Sequence, residues 1–224
     1  MDLPFDWEQG QHLSIIGQTG TGKSYLASAL LTTRRYVVIF QTAPDPATKY
    51  QVDLRTKHAK DLNKAGYDRI LLRPDYDNRA EEFRDALRMC DKAGGWTVYL
   101  DELLHMDRLV YFTQDGLRRV KHSVREDYEK LLTEGRKKHI SVAAGMQRPV
   151  QVSRFMLGES RHVLSFGLEG RDAKEFRDAT NQTAWQVVQD LDVEHHEFVW
   201  VYKPRGVWRG RLKDGELTGE YVRR

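Results

Sequence analysis

His12-Leu13-Ser14-Ile15-Ile16 runs into Gly17-Gln18-Thr19-Gly20-Thr21-Gly22-Lys23-Ser24, and Tyr25-Leu26-Ala27-Ser28-Ala29-Leu30-Leu31 leaves it. The middle octapeptide has the phosphate-binding loop pattern GxxxxGK[ST]. The first run is apolar and β-prone and the last is helix-forming, so strand, loop and helix follow in the order the pattern requires. Glycines let backbone N–H groups turn inward around an anion, and the helix N-terminus adds the positive end of its dipole. Lys23 is expected to reach the β- and γ-phosphates of a nucleoside triphosphate, and the Ser24 hydroxyl to ligate Mg²⁺. The candidate nucleotide-binding residues are therefore Gly17, Gln18, Thr19, Gly20, Thr21, Gly22, Lys23, Ser24 and the adjoining Tyr25.

Outward from this loop the chain alternates strand and helix, which predicts a mainly parallel sheet covered by helices. Strands are expected over 36–40, 69–74, 96–100, 140–145 and 162–166. Helices are expected over 24–33, 78–93, 125–138, 151–157 and 171–180, the second ended by Gly94-Gly95. Thr42-Ala43-Pro44-Asp45-Pro46 is turn-rich, residues 47–68 are polar and weakly patterned, and 103–124 show no clean period. The tail reads as a β-meander: 196–203, a Pro204-Arg205-Gly206 turn, 207–212, an Asp214-Gly215 turn, then 216–222.

The 224 residues suffice to bury a substantial core. One domain over 1–224 is expected, with a core over about 10–180 and a C-terminal β extension over about 181–224. No apolar run approaches the roughly eighteen residues of a membrane span, and the acidic N-terminus carries no signal-peptide stretch. The single Cys90 permits no internal disulfide and fits a reducing compartment, so a cytoplasmic location and an inert structural thiol are expected. Net charge is only +3, but residues 117–139 and 200–224 are locally basic and 171–198 acidic, an asymmetry compatible with a polyanion-facing surface or with ordinary solvated faces.

Trp96-Thr97-Val98-Tyr99-Leu100 delivers Asp101-Glu102, the hydrophobic-run-then-DE pattern of a Walker B strand. Asp101 at the strand end is the second candidate Mg²⁺ ligand, and Glu102 would orient and deprotonate the water attacking the γ-phosphate. The adjacent Glu favours hydrolysis over transfer to a small acceptor. Gln147, at the end of the 140–145 strand, is either a polar sensor near the γ-phosphate or a capping amide.

Four stretches in this order resemble the FtsK/HerA superfamily: Gly17 to Ser24, the strand into Asp101-Glu102, Glu134-Gly135-Arg136-Lys137-Lys138-His139-Ile140, and Ala144-Gly145-Met146-Gln147-Arg148-Pro149. Met146 stands where that family usually has threonine, and Ser160 to Phe166 followed by Gly170-Arg171-Asp172 is similar more loosely. The resemblance covers roughly residues 10–180. It implies a RecA-like (ASCE) α/β P-loop NTPase with a C-terminal β-meander. It also implies an ATPase using ATP and Mg²⁺, working as a homo-oligomeric ring, pentamer or hexamer, on double-stranded DNA. In such a ring an arginine of one subunit completes its neighbour's site, and Arg161 and Arg136 are the matching candidates. The short length resembles the genome-packaging ATPases of membrane-containing icosahedral viruses and related phages. That implies packaging into a preformed capsid, a capsid vertex or portal protein as partner, and the host cytoplasm or virion packaging vertex as location.

Arg118, Arg119 and Lys121, beside the hinge candidate Gly116, are the expected DNA phosphate contacts in a pore-facing loop, the other reading of the 117–125 stretch being a bland solvent loop. The alternatives are another FtsK/HerA-like DNA-transfer or phage-assembly ATPase, a nucleotide or nucleoside kinase, and a regulatory NTP-binding module.

Overall fold

The computed structural model describes residues 2–43, 50–63, 66–115, 118–203 and 206–222, with backbone alone for 115 and 118. The Pro44-Asp45-Pro46 turn, the Pro204-Arg205 turn and the Gly116 hinge therefore lie outside the described residues. The loop-bearing strand β1 (His12–Ile16) is followed by α1 (Lys23–Leu31), β2 (Val37–Gln41), β3 (Leu54–Thr56), β4 (Arg69–Leu72), α2 (Arg79–Ala93) and β5 (Thr97–Asp101). Then come α3 (Leu103–Asp107), β6 (Val110–Asp115), β7 (Arg118–Ser123), α4 (Val124–Glu134), β8 (Ser141–Met146), α5 (Arg154–Glu159) and β9 (Ser160–Ser165). The chain ends with α6 (Gly170–Ala179), α7 (Gln182–Gln189), β10 (Glu197–Tyr202), β11 (Gly206–Lys213) and β12 (Glu216–Tyr221).

Ten strands form one sheet in the order β12-β11-β10-β9-β1-β8-β5-β2-β4-β3. From β9 to β3 every pairing is parallel, and β10 to β12 continue antiparallel from β9. β8 lies between the loop strand β1 and the Asp-Glu strand β5, so the acidic strand end is one strand removed from the loop. The inner parallel strands β1, β2 and β8 are buried on both faces, which is why they read as continuous apolar runs rather than alternations. Their side chains divide by parity. Val37 and Ile39 join α1 with Leu26 and Leu30 on one face, while Val38 and Phe40 join α2 to α7 on the other. The meander is thus an extension of the central sheet, and its Asp214-Gly215 turn has the two positive φ values, 51° and 84°, that a tight hairpin turn needs.

Three segments depart from expectation. β3 lies in the weakly patterned 47–68 stretch as a three-residue edge strand. The unpatterned 103–124 segment is α3 plus a separate two-stranded hairpin, β6 with β7, so the basic stretch expected as a pore-facing loop is a strand leading into α4. α7 is capped by Asn181, whose side chain accepts from the Ala184 N–H, a helix start that the composition alone did not single out. Cys90 is fully buried on α2, and burial pushes its thiol well above the ordinary range, as expected of an inert thiol.

Two histidines are walled into the sheet. His12 Nδ1 accepts from the Val142 N–H at 3.0 Å, so its Nε2 donates to the Leu132 carbonyl at 3.0 Å. His162 Nδ1 accepts from Trp200 Nε1 at 3.1 Å, so its Nε2 donates to Gln11 Oε1 at 2.7 Å. Burial lowers His12 to about 4, with Arg136 adding to the effect against the Leu132 carbonyl. Burial, helped by Arg34 and Arg161, lowers His162 to about 3. In the unfolded chain both titrate near the ordinary 6.5, so below that pH the unfolded state takes up protons the folded state refuses. Stability is complete above pH 6.5 and is lost as pH falls towards 4, by up to about 1.4 kcal/mol per pH unit for each histidine. Urea melts are expected to lose about 2–4 kcal/mol between pH 7 and pH 5; equal midpoints at both pH values would refute the assignment.

Candidate functional site

The loop leaves β1 with the Gly17 N–H donating to the Met146 carbonyl of β8 at 3.1 Å. Gly17 admits no side chain: a Cβ there would lie 2.7 Å from Thr21 Oγ1 and 2.9 Å from Phe166 Cβ. Gly22 takes the left-handed conformation, φ +99°, at the N-cap of α1, where no side chain caps the helix and no acid occupies the first turn. The first N–H groups of α1 and the end of its dipole are thereby left to an anion. Lys23 Nζ donates to the Gln18 carbonyl at 2.8 Å, and the Thr21 hydroxyl donates to the same oxygen at 2.9 Å. Burial pulls the Lys23 ammonium down, opposed by the Glu102 and Asp101 carboxylates facing it.

A cleft of about 460 Å³ separates Thr19, Gly20, Gly22, Lys23, Ser24 and Tyr25 from Tyr99, Asp101, Glu102, Gly145 and Gln147. The sheet order produces this meeting, because β1, β8 and β5 are parallel neighbours ending at the same edge. Tyr25 is 55% exposed at the rim. Glu102 holds a positive φ of 76°, rare for a side chain of its size and a sign of backbone strain held by its surroundings. Gln147 Nε2 donates to Glu102 Oε2 at 2.9 Å, so the residue expected either as sensor or as cap bonds the candidate base directly. Ser24 and Asp101 offer hydroxyl and carboxylate oxygens on the two walls, a hard donor set that suits Mg²⁺.

Several participants escaped the sequence reading. Gln41, at the end of β2 and in register with Asp101, donates to Asp101 Oδ2 at 3.2 Å. Arg148 is clamped by Asp172 of α6 at 2.9 Å. His196, at φ +57°, bonds the Thr21 carbonyl through Nδ1 at 3.1 Å and so ties the turn before β10 to the phosphate loop. A glutamine closing a buried apolar strand was the available signal for Gln41; the other two had none.

The two candidate fingers lie elsewhere. Arg161 is the second residue of β9, paired beside the start of β1, about 15 Å of strand from the loop. Arg136 abuts Gly10, ahead of β1. Neither can reach Lys23 of its own chain. On the hairpin, Arg119 lies over the exposed Phe112 ring at 3.9 Å and Lys121 is exposed on the same strand, while the Arg118 side chain lies outside the described residues. Much of the other basic charge is internally matched. Arg125 pairs with Glu129, Lys130 and Lys138 with Asp91, and Arg209 with Glu197. Lys203 donates to the Leu157 and Gly158 carbonyls, and burial lowers it to about 8. Part of the basic charge seen in sequence is therefore paired within the chain.

This fold is similar to that of solved P-loop ATPases. The genome packaging NTPase B204 from Sulfolobus turreted icosahedral virus 2, in complex with ATP-gammaS, matches 90% of this chain and 97% of its own at a TM-score of 0.67 and 12% identity. B204, the DNA-packaging ATPase from Sulfolobus Turreted Icosahedral Virus, matches 90% of this chain and 97% of its own at 0.62 and 15%. The pCW3 conjugation coupling protein TcpA matches 89% of this chain and 59% of its own at 0.53 and 15%. At these identities the likeness is one of fold. No protein-family model and no curated protein matches the sequence.

Proposed function

We propose that this chain is an ATP-hydrolysing motor that moves double-stranded DNA, and that the movement packages a viral genome into a preformed capsid. The observation that carries the ATPase part is the convergence of Lys23, Ser24, Asp101 and Glu102 on one cleft, with Gln147 bonded to Glu102. The fold likeness to the packaging NTPase B204 supports the motor part. In this reading the loop N–H groups and Lys23 hold the triphosphate, with Ser24 and Asp101 as the residues that would hold Mg²⁺. Bound Mg²⁺ supplies positive charge against the phosphate oxygens. Glu102 takes the proton of the attacking water as its oxygen bonds to the γ-phosphorus and the bond to the β-phosphate oxygen breaks, leaving ADP and phosphate. Gln147 holds the Glu102 carboxylate and is positioned to pass changes there along β8.

Arg161 and Arg136 lie a strand-length from their own loop, so either one acts, in this reading, on the next subunit of a ring. No helix among the described residues is long and apolar enough to cross a membrane. The proposed partners are other copies of the chain in a pentamer or hexamer and a capsid vertex or portal protein, in the host cytoplasm or at the virion packaging vertex.

The test is ATP turnover with and without duplex DNA. Stimulation by duplex supports the motor, stimulation by a small nucleoside acceptor would make it a kinase, and binding without turnover would make it a switch. The DNA contacts are tested by neutralising Arg118, Arg119 and Lys121 together. Each lost phosphate contact is expected to flatten the salt dependence of DNA affinity by about one unit in the log–log slope, with nucleotide binding unchanged. Unaltered DNA affinity in the triple variant would remove the hairpin from the interface.

A further inference from the structure

One buried hydroxyl faces the candidate metal ligands without a bond of its own. Tyr50 is 4% exposed and packs its ring against Tyr99, with centroids 6.0 Å apart and planes inclined at 55°. Its ring belongs to the apolar cluster on the α1 face, with Leu26, Leu30 and Ile39. The hydroxyl is within reach of Tyr99, Ser24 and Asp101 yet makes no hydrogen bond of good geometry to any described residue. Buried polar groups are nearly always bonded, because an unpaired one has given up water for nothing. Among the described residues the only other such atoms are Arg34 Nε and Arg79 Nε. Those belong to guanidinium groups with other partners: Arg34 donates to Gln9 and lies over Trp7, and Arg79 lies over Tyr76. Tyr50 has no such compensation, and its one polar atom is directed at the two oxygen donors of the cleft.

We propose that the Tyr50 hydroxyl is a positioning group of the nucleotide site, held ready to orient the Asp101 carboxylate and the oxygens around a Mg²⁺ brought in with the triphosphate. The inference rests on the reading of the cleft as an ATPase site and adds a residue to it. Asp101 already accepts from Gln41 through Oδ2, so a donor on another side would set the carboxylate's rotation. Tyr99 lies on the same wall. A Cβ at Gly145 would sit 2.9 Å from the Tyr99 hydroxyl and 3.8 Å from the Glu102 nitrogen, so the bare Gly145 backbone leaves room for that second phenol at the cleft. Groups that orient a metal's ligands commonly carry ten- to hundredfold in metal affinity or activity.

Tyr50→Phe keeps the ring, its packing and its burial, and removes only the oxygen. The measurements are Mg²⁺ titrations of the binding of a fluorescent non-hydrolysable ATP analogue, binding of that analogue in EDTA, thermal melting without nucleotide, and turnover. The half-saturating Mg²⁺ concentration is expected to rise about tenfold, with binding in EDTA unchanged. The nucleotide-free Tm is expected to be equal or higher, because an unpaired buried oxygen is gone. A lowered Tm with an unaltered Mg²⁺ titration would show a structural phenol and overturn the inference alone. An original protein whose analogue binding ignores Mg²⁺ would overturn the ATPase reading and this inference with it.

Discussion

Glu102→Gln is expected to lower ATP turnover by about two to four powers of ten while leaving ATP binding intact. The substitution changes one atom of the side chain. The amide oxygen can still accept from Gln147 Nε2, which now donates to Glu102 Oε2 at 2.9 Å, so the side chain stays where it is. It also keeps its Cβ, so the strained backbone at φ +76° is no more costly than before. What disappears is the ability to take a proton from water. The loss therefore falls on the chemical step, and the variant should accumulate bound ATP. Phosphate release in the steady state and equilibrium nucleotide binding measure the two halves separately. Turnover within tenfold of the original protein would place the general base elsewhere and remove Glu102 from the mechanism.

The largest expected loss of stability comes from Trp200→Ala, about 3–5 kcal/mol. For a chain of this size that corresponds to a Tm lower by roughly 6–20 °C. Trp200 is fully buried on β10, the strand that joins the parallel and antiparallel parts of the sheet. Its register partners are Leu164 on β9 and Trp208 on β11, and its ring meets Phe5 edge-on at 6.1 Å. Truncation leaves a cavity between well-packed strands and also deprives His162 Nδ1 of its donor. Trp200→Phe keeps much of the ring and should cost less, so the pair separates packing from the hydrogen bond. Denaturant and thermal melts provide the comparison, and an alanine variant within about 1 kcal/mol of the original would mean the meander does not depend on this residue.

The two variants sample parts of the protein that were unequally legible. β1, the loop and α1 could be read almost residue by residue, since an apolar run, a glycine pattern and a helix former are all local signals. β5 and β8 were equally plain because strands buried on both faces are apolar throughout. The β6–β7 hairpin was missed because it lies outside the main sheet: Val110 and Phe112 are exposed although apolar, on either side of the buried Tyr111, so hydropathy does not follow the alternation of burial. β3 was missed because a three-residue edge strand pairs on one side only and needs little apolar character. The basic runs were legible as composition but their pairing was not, since Asp91, which pairs with Lys130 and Lys138, comes from the packed helix α2.

Sequence alone determined the phosphate loop, the acidic strand end and the α/β alternation. Each is made by residues adjacent in the chain, and backbone preference and burial write such features into local pattern. Tertiary structure alone decided that Gln147 would bond Glu102, that Gln41 would hold Asp101, that Tyr50 would face Ser24, and that Arg161 and Arg136 would lie far from their own loop. Those relations depend on which strands become neighbours and at which edge they end. Strand order is set by the packing of the whole sheet, and pairs brought together across 45 or 60 residues leave no period in the chain from which to read them.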